Sequence, residues 1–375
     1  MGPIDNDARH RDRTIWTCDG CCMKSIAACT IISKNYVAYA RVLAASFLEH
    51  HPGGRFFVLL VDRVDGAFDP SQELFTLIEV EQLATIPDLP SFLFKYDIVE
   101  SNTAVKPYYL EYLFSTYDLD HIVFLDPDIL IFQPLDAVAE AIEHYSITLI
   151  PHLTEPLEDD GKLPNEMTML RVGCFNLGFL GLKATPTTQR MLTWWQKRLY
   201  EHCRIRFDLG LFVDQRWMDL VLPMFKDVFI LKHRAYGVAD WNLPERTITA
   251  GPPPEVNGQP LCFYHFSGIE IDNLEQISKH QTRYTFDEIG EAADLYHRYR
   301  ALLIEAGHAE SSRWPYAFGS LDNGALIEPS ARHAYYELGT ERGRFGDPFK
   351  SAGEQSFFGW LRSTDRVGHG DDQSP

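Results

Sequence analysis

The chain has 375 residues, 45% hydrophobic and 13% aromatic, ample for a large core in one big domain with an extension or in two domains. Its net charge of −19 argues against unspecific nucleic-acid or anionic-membrane binding, which needs a basic surface, while leaving room for a small basic nucleotide pocket. No run approaches the roughly 20 apolar residues of a membrane span, and Met1–Arg13 lacks the apolar core of a signal peptide, so the expectation is a soluble, cytoplasmic protein with no transmembrane segment.

In chain order, residues 1–24 read as a flexible leader. It carries Cys18, Cys21 and Cys22 in a C-x-x-C-C cluster with no second paired-cysteine motif, which favours ordinary reduced thiols over a zinc site. Ser25–Ile32 reads as a first buried strand, 33–36 as a turn, and Val37–His50 as a helix with Val42, Leu43, Ser46 and Phe47 on one side. Pro52-Gly53-Gly54 ends that helix. Arg55–Asp62 is a second strand closed by an acid, and Phe75–Val80 a third. This alternation begins a doubly wound α/β sheet.

Pro90–Tyr117 reads as mainly helical, with a helix opened at Lys106-Pro107, since proline suits a first turn. Ser146–Ile150 and Phe175–Leu182 are further strands, separated by a polar, acidic segment, Pro151–Arg171, long enough to be a lid. Thr187–His202 and Val213–Leu222 read as helices, Leu261–Phe266 as the last core strand, and Phe286–Gly307 as a helix before an aromatic, irregular tail. The division expected is 1–24, a catalytic domain over 25–285, and a C-terminal extension over 286–375.

His121–Phe132 (HIVFLDPDILIF) carries the most chemical information. Its apolar flank reads as a buried strand of a parallel sheet, which places Asp126 and Asp128 at the strand's C-terminal end, where open α/β sheets bind ligands. Alternate residues of an extended segment point the same way. Two such charges about 4 Å apart repel by roughly 4 kcal/mol at an effective dielectric of 20. A hard cation such as Mg²⁺ or Mn²⁺ carrying substrate phosphates relieves that repulsion.

Six local features, taken in order over about residues 25–285, resemble the glycogenin-like retaining transferases of glycosyltransferase family 8. They are Thr30-Ile31-Ile32-Ser33 with Tyr36 and Ser46, Lys106 before the FLDPDIL motif, Phe175-Asn176 with Gly178, Asp214-Gln215 at a helix start, Trp241-Asn242, and Tyr264-His265-Phe266-Ser267-Gly268. One departure stands out. The family follows His-Phe-x-Gly with a lysine that holds the diphosphate, whereas Ile269-Glu270-Ile271 follows here, and Lys279 and Arg283 are the basic residues left for that role.

The resemblance implies a GT-A fold, a mixed sheet flanked by helices, and a UDP- or similarly activated sugar as donor. It implies Mn²⁺ or Mg²⁺ held by Asp126, Asp128 and His265, with Thr30, Ile32, Tyr36 and Lys106 near the nucleotide and diphosphate. Asn176, Asp214 and Gln215 would line the sugar pocket, Gln215 positioning the oxocarbenium-like centre if the reaction retains, Asp214 or an acid of Pro151–Arg171 acting as base if it inverts. On residue type alone, His265 is more often a hydrogen-bonded core histidine than a ligand, and only its order after Asp126 and Asp128 favours the ligand, while Asp214 is equally a helix N-cap. Parts of the tail resemble C-terminal segments of some bacterial glycosyltransferases. The acceptor is left open among a saccharide, a lipid-linked intermediate, a peptide and a small molecule, with a homodimer contact as another use of the tail. Two competing functions are a haloacid-dehalogenase-like phosphatase, which places its Asp-x-Asp on a first strand, and a non-catalytic nucleotide-sugar-binding protein.

Overall fold

The computed structural model describes residues 26–272, 276–353 and 355–363. The expected leader with its cysteine cluster lies outside them. The chain opens with β1 (Ala27–Ile32), a 3₁₀ turn over Lys34–Tyr36, α1 (Val37–His50), β2 (Arg55–Leu60) and β3 (Thr76–Glu79). The next helical region is three helices, α2 (Leu89–Lys95), α3 (Ile98–Ala104) and α4 (Lys106–Thr116), the last with Pro107 in its first turn. There follow β4 (His121–Leu125), β5 (Ile129–Ile131), α5 (Asp136–His144), β6 (Ile147–Leu149), α6 (Glu166–Val172), β7 (Phe179–Lys183) and α7 (Pro186–His202). A short hairpin, β8 (Ile205–Arg206) and β9 (Leu211–Phe212), precedes α8 (Val221–Met224) and β10 (Val228–Ile230). Three two-residue strands, β11 (Ile248–Thr249), β12 (Glu255–Val256) and β13 (Gln259–Pro260), lead to β14 (Phe263–His265). The remainder is α9 (Ala292–Glu305), α10 (His308–Ser311), α11 (Pro329–Glu337) and α12 (Phe357–Ser363).

The expected mixed α/β sheet flanked by helices is present, with seven strands in the order β10-β6-β7-β4-β1-β2-β3. Its two-residue period sorts side chains into two cores. Ala28, Ile32, Phe56, Val58, Leu60, Val123 and Leu125 face α1, α5 and α9. Ala27, Cys29, Ile31, Phe57, Leu59, Ile122 and Phe124 face α2, α4 and α7. A sheet covered on both faces needs apolar residues at every central position, which is why AACTII and HIVFL read as continuous apolar runs.

Several expectations are corrected. β4 is parallel to β1 but antiparallel to β7, so the motif strand is not in a purely parallel setting. β14 does not join the main sheet; it pairs antiparallel with β5, His265 opposite Ile129. The helix expected over Val213–Leu222 is a 3₁₀ turn, Gln215–Leu220, running into the single turn of α8. Pro151–Arg171 contains α6, whose N-cap Asn165 accepts from Thr168 N at 3.1 Å.

Chain beyond residue 285 is tied to the sheet. Leu295, Tyr296, Tyr299 and Leu303 of α9 lie in the same core as α1. Asp62, the acid after β2, is fully buried and accepts from Ala317 N at 2.8 Å and Lys34 N at 3.2 Å. Arg332 of α11 donates to Leu93 O, Phe94 O and Tyr96 O at 3.1, 2.9 and 2.7 Å, satisfying carbonyls at the end of α2. Among the described residues, no helix is long and apolar enough to cross a membrane.

Candidate metal and donor site

The end of β4 and the pairing of β5 with β14 build the site. Asp126 N donates to Gly178 O at 2.8 Å, and Phe266 N donates to Asp128 O at 2.8 Å, so the Asp126–Asp128 corner is fixed from both sides by backbone. The β14 register then delivers His265. Its Nε2 lies 2.9 Å from Asp128 Oδ1 and 3.9 Å from Asp126 Oδ2. One ligand atom from each of Asp126, Asp128 and His265 lies within 4.8 Å of the others. The other ring nitrogen, Nδ1, is 3.2 Å from Asn176 Oδ1, an outer contact that turns Nε2 toward the carboxylates. Gly178 is required for this approach: a Cβ there would meet His265 Cε1 at 2.5 Å and Asn176 Oδ1 at 2.7 Å.

Electrostatics bind the three together. Burial alone would lower the His265 pKa, but Asp128, Asp126 and Asp240 hold it above its ordinary value. Burial works to raise Asp128, yet His265 outweighs it and keeps that carboxyl below the usual range. For Asp126 burial wins over Lys106 and His265, and its pKa is raised. Two carboxylates and one imidazole, with the imidazole oriented from behind, are a donor set that suits Mn²⁺ or Mg²⁺ with positions left for substrate oxygens.

Deeper in the site, Lys106 is buried at the start of α4. Its Nζ lies 2.6 Å from Asp214 Oδ2, donates to Leu177 O at 3.0 Å and stands 4.1 Å over the Phe124 ring. Burial raises the Asp214 pKa against the pull of Lys106. The Asp214 side chain makes no capping bond to its 3₁₀ turn, so the N-cap alternative is not what it does. Gln215 accepts from Leu177 N at 3.1 Å and donates to Val172 O at 3.0 Å, bridging the segment before β7 to the end of α6.

A cavity of about 310 Å³ opens beside the carboxylates, lined among others by Ile32, Tyr36, Asn102, Lys106, Asp126 and Asp128. Tyr36, 39% exposed, stacks on Tyr39 at 4.6 Å and presents an aromatic wall to the cavity. Thr30 is fully buried and does not line this opening, which its neighbours Ile31 and Ile32 do.

Lys279 is exposed, its backbone N–H donating to Gly268 O at 3.1 Å. Arg283 is not brought to the carboxylates. Its guanidinium pairs with Asp160 at 2.7 and 3.0 Å and its Nε donates to Pro164 O at 2.8 Å, so it clamps the segment before α6. Nothing local in the chain marks Asp160 as the partner of this cation. His280, not singled out from the sequence, stands instead near the site: its ring feels the charges of Asp128 and His265 and packs on Gly268, where a Cβ would lie 2.6 Å from His280 Cδ2.

Asp240 and His152 were also missed. Asp240 is 2% exposed, and burial pushes its pKa up to about 7. His152 Nε2 lies 3.5 Å from Asn176 Nδ2, and its burial lowers its pKa to about 4. Trp241 stands edge-on to both His265 and His152, at 5.4 and 5.3 Å. Asn242 is a brace, donating to Gly237 O at 2.9 Å and accepting from Ala239 N at 3.0 Å. Proximity to the Trp-Asn pair was the one signal that could have drawn attention to Asp240.

No family model matches the chain. Two relatives from Bacillus subtilis (strain 168), both named only as uncharacterized proteins, are similar in sequence. YfnF is 25% identical over 270 residues, 69% of this chain and 87% of its own length. YfnD is 25% identical over 252 residues, 64% of this chain and 77% of its own length. Among solved structures, the galactosyltransferase LgtC in complex with donor and acceptor sugar analogs is similar at 15% identity and a TM-score of 0.44, over 74% of this chain and 95% of that one. The glycosyltransferase GlyE of Streptococcus pneumoniae TIGR4 is similar at 13% identity and a TM-score of 0.40, over 79% of this chain and 66% of that one.

Proposed function

We propose that this chain is a metal-dependent glycosyltransferase that moves a sugar from a nucleotide-diphosphate donor, UDP-linked in the first instance, to a hydroxyl acceptor. The observation that carries this reading is the convergence of Asp126, Asp128 and His265 within 4.8 Å beside a cavity that both carboxylates line. The ordered sequence motifs that resemble family 8 supply the donor class. Asp126, Asp128 and His265 would hold Mn²⁺ or Mg²⁺, which supplies charge stabilisation for the departing diphosphate.

The chain's own groups do the positioning. Tyr36 offers its ring to the nucleobase, as its exposed stacked position allows. Lys106, held by Asp214, contributes positive potential at the cavity floor without being free to swing. Asn176 orients His265 and, with Asp214 and the spare hydrogen-bonding capacity of Gln215, borders the space for the sugar. No histidine or carboxylate needs to act as a general base if the leaving phosphate takes the acceptor proton on the same face, the retaining course. Saccharide, lipid-linked, peptide and small-molecule acceptors fit this chemistry equally, and the cytoplasm is the compartment it suits.

The test is donor binding and hydrolysis across UDP-, GDP- and dTDP-sugars, with Mn²⁺ or with EDTA, for wild type and Asp128→Ala. Metal-dependent cleavage of one donor, lost in Asp128→Ala, supports the reading. Indifference to metal, donor and substitution alike ends it.

A further inference from the structure

Buried polar atoms in folded proteins are nearly always paired, and each exception calls for a physical reason. Two exceptions lie on consecutive residues beside the candidate metal centre: Asp240 Oδ1 and Trp241 Nε1 have no partner among the described residues. Asp240 is 2% and Trp241 8% exposed. Leaving each unpaired is costly, because the buried group gives up its water without gaining a replacement bond. Neither is needed for the ligand cluster, whose convergent atoms come from Asp126, Asp128 and His265. Both nevertheless abut it: the Trp241 ring stands 5.4 Å from the His265 ring, and the Asp240 charge acts on both His265 and Asp128.

Their chemistry is complementary. A carboxylate oxygen accepts hydrogen bonds and an indole N–H only donates, while a hydroxyl can do both at once. Trp241 adds an apolar ring, packed with Ala239 and with Met169 of α6, next to these polar atoms. An aromatic face beside unpaired acceptor and donor atoms suits a sugar ring better than a phosphate, which has no proton to give Asp240 and is repelled by its charge.

We propose that Asp240 and Trp241 form a subsite for a hydroxyl of the transferred sugar and thereby set which nucleotide-sugar is accepted. This rests on the transferase reading above, whose own test is metal-dependent cleavage of a nucleotide-sugar that is lost in Asp128→Ala. Met169 of α6 belongs to the same apolar cluster as Trp241, so the Pro151–Arg171 segment borders the subsite.

The experiment measures Mn²⁺-dependent UDP release from UDP-glucose, UDP-galactose, UDP-xylose and UDP-N-acetylglucosamine, beside calorimetric binding of UDP alone. It compares wild type, Asp240→Ala and Trp241→Phe, the last removing the indole N–H together with part of the ring while keeping an aromatic face. The expected result is that the kcat/KM ratio between the preferred donor and its nearest rival falls roughly ten-fold or more in both variants, with UDP affinity within two-fold of wild type. A donor ratio that stays within about two-fold of wild type, whether activity is lost equally for every donor or not lost at all, or a matching loss of UDP affinity, overturns the subsite; an unmoved ratio is what an ordered water or a purely structural pair would give. Wild type that neither binds nor cleaves any UDP-, GDP- or dTDP-sugar with Mn²⁺ overturns the transferase reading itself. Trp241→Phe keeps the test decisive if Asp240→Ala fails to fold.

Discussion

Lys106 Nζ and Asp214 Oδ2 lie 2.6 Å apart with both side chains only 3% exposed, joining the first turn of α4 to the residue before Gln215. Removing one partner of a buried pair strands the other charge, at about 3–5 kcal/mol, whereas replacing both with apolar groups costs far less. Lys106→Met and Asp214→Leu are each expected to lower the urea midpoint strongly, and the double variant to recover a large part of the loss. Additive losses would show that the two charges do not stabilise one another.

Metal affinity should rise with pH. His265 must release the proton on Nε2 before that nitrogen can ligate, and its pKa stands above the ordinary value because of Asp128 and Asp126, despite burial. Protons therefore compete with Mn²⁺ below and around the raised His265 pKa, and the competition ends above it. Calorimetric Mn²⁺ titrations at pH 6 and pH 8 should give tighter binding at pH 8 with proton release at pH 6. Equal affinity at both would mean that His265 is not a ligand.

Gly178→Ala should damage the site more than the fold. The new methyl would have to displace His265 Cε1 from 2.5 Å and Asn176 Oδ1 from 2.7 Å. Overpacking of this kind costs about 1–3 kcal/mol, and here it falls on the orientation of the imidazole. The expected outcome is a ten-fold or greater loss of Mn²⁺ affinity with a retained cooperative melt. Unaltered Mn²⁺ affinity would contradict the role given to the His265–Asn176 contact.

Asp240→Asn should stabilise the metal-free protein above neutral pH. Burial raises the Asp240 pKa from 3.8 to about 7, so the native state holds the proton more tightly than the unfolded chain does. The favourable contribution is complete below pH 3.8, is lost progressively between 3.8 and 7, and leaves an uncompensated buried charge at pH 8. In EDTA, the Tm of Asp240→Asn minus that of wild type should therefore grow from pH 5 to pH 8. A difference that stays flat or shrinks would refute the assignment.

Arg283→Gln should loosen the segment before α6 without weakening Mn²⁺ binding, since Asp160 and Pro164 O are what its guanidinium meets. Limited proteolysis is expected to cut between residues 155 and 165 faster in the variant. Loss of Mn²⁺ affinity instead would return Arg283 to the centre.

Local pattern carried much of this architecture. Val37–His50 was legible because its apolar spacing starts after a turn and stops at Pro52-Gly53-Gly54, and β1, β2 and β4 because strands covered on both faces have no polar alternation. Asp126 and Asp128 stood out against that apolar run, and the order of motifs pointed to His265. Pairings set by distant chain were not legible. Leu261–Phe266 reads as a strand from its own residues, but nothing local shows that β14 pairs with β5 across more than a hundred residues. Arg283 looked available because nothing local reveals that Asp160 folds onto it. Asp240 looked ordinary because burial, which gives it its character, comes from the surrounding elements.

The β5–β14 pair has a consequence for synthesis on the ribosome. Both carboxylates emerge with β4, but the imidazole that completes the cluster follows only with β14, and α9 then seals Phe266 between Tyr296 and Tyr299. A nascent or truncated chain ending before Phe263 thus has every strand of the main sheet but only two of the three ligands. Metal capture is thereby deferred until the scaffold around it has been made, and a half-built protein has little means of holding the ion in a wrong arrangement.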